Sequence, residues 1–152
     1  MMRTGVRSRI RAVLLVVANA DLRKLHGNAM RESGLFVHEA ATVREALACA
    51  EDLRPDLVVL ARHLPDGDGW KVARAFKASE RMRRVPIVAF TPHRERSDIE
   101  GALVAGCDAF LDQACTPDSL VRHVRGMLDM PLDITDAHAV MVTARARRGM
   151  AS

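Results

Sequence analysis

The segment RPDLVVLARHLPDGDGW, residues 54–70, decides the fold. Its centre, residues 57–61, is an unbroken apolar run, LVVLA. A strand with one wet face alternates apolar and polar residues, whereas so short a continuous run suits a strand buried on both faces. Pro65, Asp66, Gly67, Asp68 and Gly69 follow, the residue types that make turns. Behind them a helix is expected from Trp70 to about Ala78. The segment therefore reads as strand, turn-rich loop and helix.

The same unit recurs on both sides. Residues 13–17 (VLLVV) form a second apolar run, followed by a helix over 21–33 with Leu22, Leu25, Ala29 and Met30 at helical spacing and Gly34 as its stop. Residues 35–40 read as a strand. Thr42 and Glu45 then form a capping box, in which the Thr hydroxyl accepts an unpaired helix N–H and the Glu reaches back. Val43, Ala46, Leu47, Ala50 and Leu53 make the apolar face of that helix. Residues 86–90 are the next strand, with a helix near 97–105 closed by Gly106. A short strand over 109–111 precedes a last helix that opens at Thr116-Pro117, an N-cap with proline at the first helical position. Its core face is Leu120, Val121, Val124, Met127 and Leu128. Five strand–helix units in residues 13–130 predict an α/β fold in three layers, a (βα)5 doubly wound parallel sheet. Residues 1–12 read as a basic leader and residues 131–152 as a tail. In the tail, Ile134, Ala137, Val140, Met141 and Ala144 could form a sixth helix capped by Thr135, the alternative being a frayed terminus.

At 152 residues, 49% apolar and 28% charged, the chain has the size and composition of one globular domain. Folding at this length buries about 70% of the unfolded chain's surface. The net charge of +4 is unevenly placed. Residues 1–12 carry +4 and residues 131–152 carry +1, which leaves −1 for everything between. A nucleic-acid-binding domain is disfavoured, because the basic balance belongs to the ends. Cys49, Cys107 and Cys115 are three scattered thiols without paired spacing, as in a reduced cytoplasmic protein. The arginines at 3–11 followed by residues 12–18 imitate a secretory signal, but a seven-residue apolar run is better read as the first buried strand. No stretch has membrane-spanning length.

Taken in order, VLLVVANADLR (13–23), RPDLVVLARHLPDGDGW (54–70), VPIVAFTPH (85–93) and GCDAFLDQACTPDSL (106–120) resemble the receiver domain of bacterial two-component response regulators, the CheY-like family. The resemblance covers residues 13–129. It implies a five-stranded parallel sheet in flavodoxin-like order 2-1-3-4-5, with a site at the carboxyl ends of strands 1, 3 and 4, where open α/β sheets bind ligands. In the family, an aspartate ending strand 3 accepts a phosphoryl group beside Mg²⁺ held by an acidic pair ending strand 1. A Ser/Thr ending strand 4 and a Lys–Pro ending strand 5 complete the site. By this resemblance the acidic pair falls on Val17 and Ala18, the acceptor on Ala61, the lysine on Gln113 and its proline on Ala114. Thr91 and the aromatic switch position Phe110 are retained. A methyl group is no nucleophile, and aliphatic side chains do not ligate a hard cation. The expected cofactor is none, with Mg²⁺ not bound at the family site.

The expectation is therefore an atypical, non-phosphorylatable receiver, not an enzyme, acting as a protein-interaction module in two-component signalling. Its partner would be a histidine kinase, an output protein, another regulator or a second copy of the chain. The docking face implied by the family is residues 97–129, with Arg122, His123 and Arg125 as exposed candidates. No output domain is expected after the last helix, which points the same way. Three alternatives come from other residues. Asp21, Asp66 or Asp68 could be a non-standard phosphoacceptor. His63, His93 and Cys115, each two residues beyond a site position, could hold a transition metal, and the emptied site pocket could take a small ligand. Lys71, Arg74, Lys77 and Arg81 form a basic helical stripe that could meet a phosphate or an acidic partner and, with the Arg-rich ends, could contact nucleic acid.

Overall fold

The computed structural model describes residues 10–92 and 96–129. The expected sixth helix, most of the basic leader, and His93 lie outside the described residues. The elements are β1 (Ala12–Val16), α1 (Ala20–Glu32), β2 (Phe36–Ala40), α2 (Val43–Asp52), β3 (Leu57–Leu60), β4 (His63–Leu64), β5 (Gly67–Asp68), α3 (Trp70–Ala78), β6 (Ile87–Thr91), α4 (Arg96–Ala105), β7 (Ala109–Asp112) and α5 (Pro117–Leu128). Five strands pair in parallel in the order β2-β1-β3-β6-β7. This is 2-1-3-4-5 once the two-residue strands β4 and β5 are set aside. Those two form an antiparallel ladder of their own inside the loop that the sequence marked only as turn-rich.

Burial explains why the long strands read as continuous apolar runs. Val13–Val16, Leu57–Leu60 and residues 87–90 are all fully buried, because helices cover both faces of the sheet. α1 packs against α5, while α2, α3 and α4 contact one another in series. Each buried Leu, Val or Ile contributes about 1.5–3 kcal/mol relative to exposure, and truncating one to alanine costs about 2–5 kcal/mol. The register brings Val16, Leu60 and Ala89 abreast, with Phe110 beside Ala89. The chain therefore leaves β1, β3, β6 and β7 along one sheet edge.

At the opposite edge two carboxylates tie neighbouring strands together. Asp56 Oδ2 accepts the Ala12 N–H at 2.7 Å, and Asp108 Oδ2 accepts the Ile87 N–H at 2.8 Å. Asp108 also meets Lys77 Nζ at 3.3 Å, and that ammonium donates to the Arg83 and Val85 carbonyls. Lys77 is thus committed to the fold, while Lys71, Arg74 and Arg81 of the same stripe are exposed. Helix starts follow the sequence signals. Asn19 Oδ1 accepts from Leu22, Thr42 Oγ1 from Glu45 and Thr116 Oγ1 from Ser119. Glu45 reaches back one residue further than the usual box, to the Ala41 N–H at 2.7 Å.

The first helix departs from its expected face. Leu25 is 53% exposed, and His26 is buried in its place. Residues 22, 26 and 30 lie on one line at i, i+4, i+8, so a helix that buries Leu22 and Met30 carries 26 inward and turns 25 aside. The His26 ring meets Phe90 edge-on at 5.1 Å, and its Nδ1 has no hydrogen-bond partner among the described residues. Leu47 likewise sits at the rim of a groove between α2 and α3.

Burial holds the His26 imidazole below its ordinary value of 6.5, favouring the neutral ring. The unfolded chain takes up this proton first as pH falls, so stability is complete above about 6.5 and declines below it until the native ring also protonates. The expected outcome in urea titrations is a decline below pH 6.5 of up to about 1.4 kcal/mol per pH unit, flattened in His26→Leu. An equal pH slope in that variant would contradict the assignment. Gly69 generates a second expectation: a Cβ there would collide with the Ala61 carbonyl, against which the loop closes. Gly69→Ala should lower stability by about 2 kcal/mol or more, measured by the same titration.

Candidate functional site

At the sheet edge that gathers the ends of β1, β3, β6 and β7, the ends of β1 and β3 carry short, uncharged side chains, while β7 ends on Asp112, whose carboxylate accepts the Ala114 N–H at 2.8 Å. Val17 is 2% exposed and continues the ladder by donating to the Ala40 carbonyl at 3.0 Å. Ala18 is partly exposed, and Ala61, directly after β3, is buried with its N–H on the Val16 carbonyl. Thr91 ends β6 fully buried, and Phe110 lies fully buried in β7. Gln113 follows β7. Its backbone N–H donates to the Thr91 carbonyl at 3.1 Å, and its side-chain Nε2 turns back to the Phe90 carbonyl at 2.9 Å. Val17, Ala18, Ala61, Thr91 and Gln113 thus all lie at this one edge of the sheet.

Further charge enters this edge through two arginines that the sequence reading did not single out. Arg23, from the first turns of α1, donates Nη1 to the carbonyls of Val17 at 2.7 Å and Ala18 at 3.2 Å. Its Nε pairs with Glu39 at 3.0 Å, and Arg31 meets the other oxygen of that carboxylate at 3.0 Å. Burial pushes the Glu39 carboxyl up, but the hydrogen bonds from Arg31 and Arg23 and the charge of Lys24 outweigh it, so it stays below the usual carboxylate value. Arg62 follows Ala61 directly. Its Nη1 reaches Asp98 Oδ1 in the first turn of α4 at 2.7 Å, its Nε lies 3.6 Å from Asp68, and its guanidinium sits 5.9 Å from the centre of the Trp70 ring. No local spacing marks either arginine, since their partners are 16 and 36 residues away.

The three aspartates weighed as alternative acceptors are placed as caps or on the surface. Asp66 accepts the Val43 and Arg44 N–H groups at 2.7 and 3.0 Å, closing the start of α2 from another loop. Those two hydrogen bonds hold its carboxyl below the ordinary value. Asp68 accepts the Trp70 N–H at 2.9 Å and so opens α3. Asp21 is exposed in the first turn of α1.

Of the residues considered for a metal, His63 is exposed on β4 and Cys115 follows β7, with its N–H on the Asp112 carbonyl. Among the described residues no three His, Cys, Asp or Glu side chains gather as metal ligands would. Burial pushes the Cys107 thiol up to about 12 and raises that of Cys49 as well, which disfavours thiolate chemistry at both. On α5, Arg122 is exposed, and His123 Nδ1 lies 2.9 Å from the Ser119 carbonyl. Arg125 donates to the Ser33 carbonyl at 2.9 Å and thereby ties α5 to the end of α1. Val104 on α4 is 84% exposed, a large apolar side chain that the sequence reading passed over. No helix among the described residues is long and apolar enough to cross a membrane.

Comparison with known proteins agrees with this geometry. The family model of the response regulator receiver domain matches residues 13–125. The chain is 34% identical over 101 residues to the KDP operon transcriptional regulatory protein KdpE of Escherichia coli, a match that takes in 66% of this chain and 44% of that protein. The chain thus spans less than half the length of that relative. It is 25% identical over 118 residues to the polar-differentiation response regulator DivK of Brucella ovis, covering 78% of this chain and 96% of that one. Among solved structures, the receiver domain of a sensor histidine kinase from Pseudomonas aeruginosa, with a magnesium ion coordinated in its active site cleft, superposes with a TM-score of 0.74 at 29% identity, over 80% of this chain and all of that one. The chemotaxis response regulator CheY4 of Vibrio cholerae gives a TM-score of 0.74 at 22% identity, over 78% of this chain and 98% of that one. With its sheet order, the place of its strand ends and a family model spanning most of its length in agreement, the chain belongs to the response regulator receiver domain family, a family of two-component signalling modules.

Proposed function

We propose that this receiver works without phosphorylation, as a protein-docking module in two-component signalling. The observation that carries the reading is the apolar edge: Val17, Ala18 and Ala61 stand at the ends of β1 and β3, where phosphoryl transfer on this fold needs three carboxylates. A methyl group at Ala61 offers no lone pair to a phosphorus centre. Mg²⁺ requires a near-octahedral set of oxygens. The side chains of Val17 and Ala18 supply none, and their carbonyls already accept from Arg23. The residues present do not fit the ion, and no step is routed through it. Gln113 supports the same reading, because its amide is turned to the Phe90 carbonyl and is neutral where a cation would meet a phosphoryl oxygen.

A receiver with no phosphoryl chemistry has nothing to bind one conformation over another at this edge, so its docking face keeps one state. That face is built from α4, β7 and α5, with Val104 and Arg122 exposed on it. The partner is a kinase, an output protein, another regulator or a second copy of the chain.

Two measurements test the proposal. After incubation with Mg²⁺ and acetyl phosphate, intact mass spectrometry should show the unmodified chain; a stable adduct about 80 Da heavier would overturn the reading and point to another acceptor. Millimolar Mg²⁺ should leave the melting temperature within about 1 °C, since an ion that binds only the native state would raise it. A rise of several degrees would contradict the reading.

A further inference from the structure

We propose that Arg62 is an internal staple that holds α4, and with it the α4–β7–α5 face, in one position without a phosphoryl group. The inference deepens the docking reading above and rests on it for its functional meaning, though the staple itself is a structural claim that can fail separately.

Three observations converge. Arg62 stands next to Ala61 at the end of β3, so its backbone is anchored to the most buried part of the sheet. Its guanidinium crosses to α4 and meets Asp98 at 2.7 Å. Asp98 is only 7% exposed, one of few buried polar side chains among the described residues. A carboxylate so removed from water needs a cation and hydrogen bonds, and a planar guanidinium supplies both. The third observation is the bed on which the arm lies. Arg62 passes over the Trp70 ring, and its Nε faces Asp68, which itself caps α3.

The same indole packs directly against α4. A Cβ placed at Gly101 would lie 3.3 Å from Trp70 Nε1, a tight contact, so the glycine eases the close approach of helix and indole. α4 is therefore joined to the β3–α3 segment twice, by a charge pair at residue 98 and by close packing at residue 101. On a phosphorylated receiver, charge arriving at the end of strand 3 could draw on α4. Here the neighbouring residue contributes a fixed charge that already does so. The staple needs no ligand and no second state.

Loss of Arg62 leaves the Asp98 carboxylate buried without its cation, which is more damaging than loss of both, whereas loss of Asp98 frees a guanidinium that is partly exposed and still near Asp68. Hydrogen exchange on the full chain and on R62Q, D98N and the R62Q/D98N double variant reads this directly. In either single variant the amides of residues 98–105 should exchange at least tenfold faster, while those of β1 and β3 keep their rates. The double variant should be no faster than the quicker single. Trp70 is the sole tryptophan, so its emission should shift to the red in both single variants. Unchanged α4 exchange in R62Q would overturn the proposal, and so would an equal acceleration in every element, which would mean that Arg62 contributes only to overall stability. A phosphoryl adduct on the native chain together with loosened α4 in R62Q would overturn the docking reading and leave the staple standing. Unmodified mass together with unmoved α4 would overturn the staple alone.

Discussion

A parallel sheet covered by helices on both faces has no exposed surface of its own, so whatever chemistry it carries must sit where its strands end. That constraint governs this molecule. β1, β3 and β6 are buried along their length, and their register brings Val16, Leu60 and Ala89 level. The residues just beyond them are then the natural place for a site: Val17 and Ala18, Ala61 and Arg62, and Thr91 ending β6 itself. The fold supplies a location independently of what occupies it.

On the reading proposed above, what occupies it differs in kind from a phosphoryl-transfer site. Crowded carboxylates raise one another's pKa and store repulsion until a cation relieves it. Here Val17, Ala18 and Ala61 are apolar, and the charges beside them are engaged with one another: Arg23 and Arg31 with Glu39, and Arg62 with Asp98 and Asp68. Such ion pairs join the segments that carry them.

The fold was legible in the sequence because it depends on short-range signals. Apolar runs at 13–17 and 57–61, the Thr42–Glu45 box and the Thr116-Pro117 start each define an element from a few adjacent residues. Strand ends moved by one residue, as with β1 beginning at Ala12 and Arg11 reaching the Leu128 carbonyl, because hydrogen bonding and not composition sets the last pair. The residues at the strand ends were assigned to site positions through the family resemblance, not from any local signal of their own. The long-range pairs were not legible. Arg62 and Asp98 are separated by 36 residues, and nothing in either neighbourhood marks the other. His26 was passed over for Leu25 because composition favours the leucine, whereas the line through Leu22 and Met30 selects position 26.

The central claim is that this receiver's strand ends give a phosphoryl group nothing to bind. Beryllofluoride with Mg²⁺ mimics a bound phosphoryl group without covalent chemistry, and amide NMR spectra report each residue of the edge separately. The account predicts spectra in which the amides of Ala61, Thr91, Phe110 and Gln113 stay in place across the titration. Saturable shifts at those amides would contradict it.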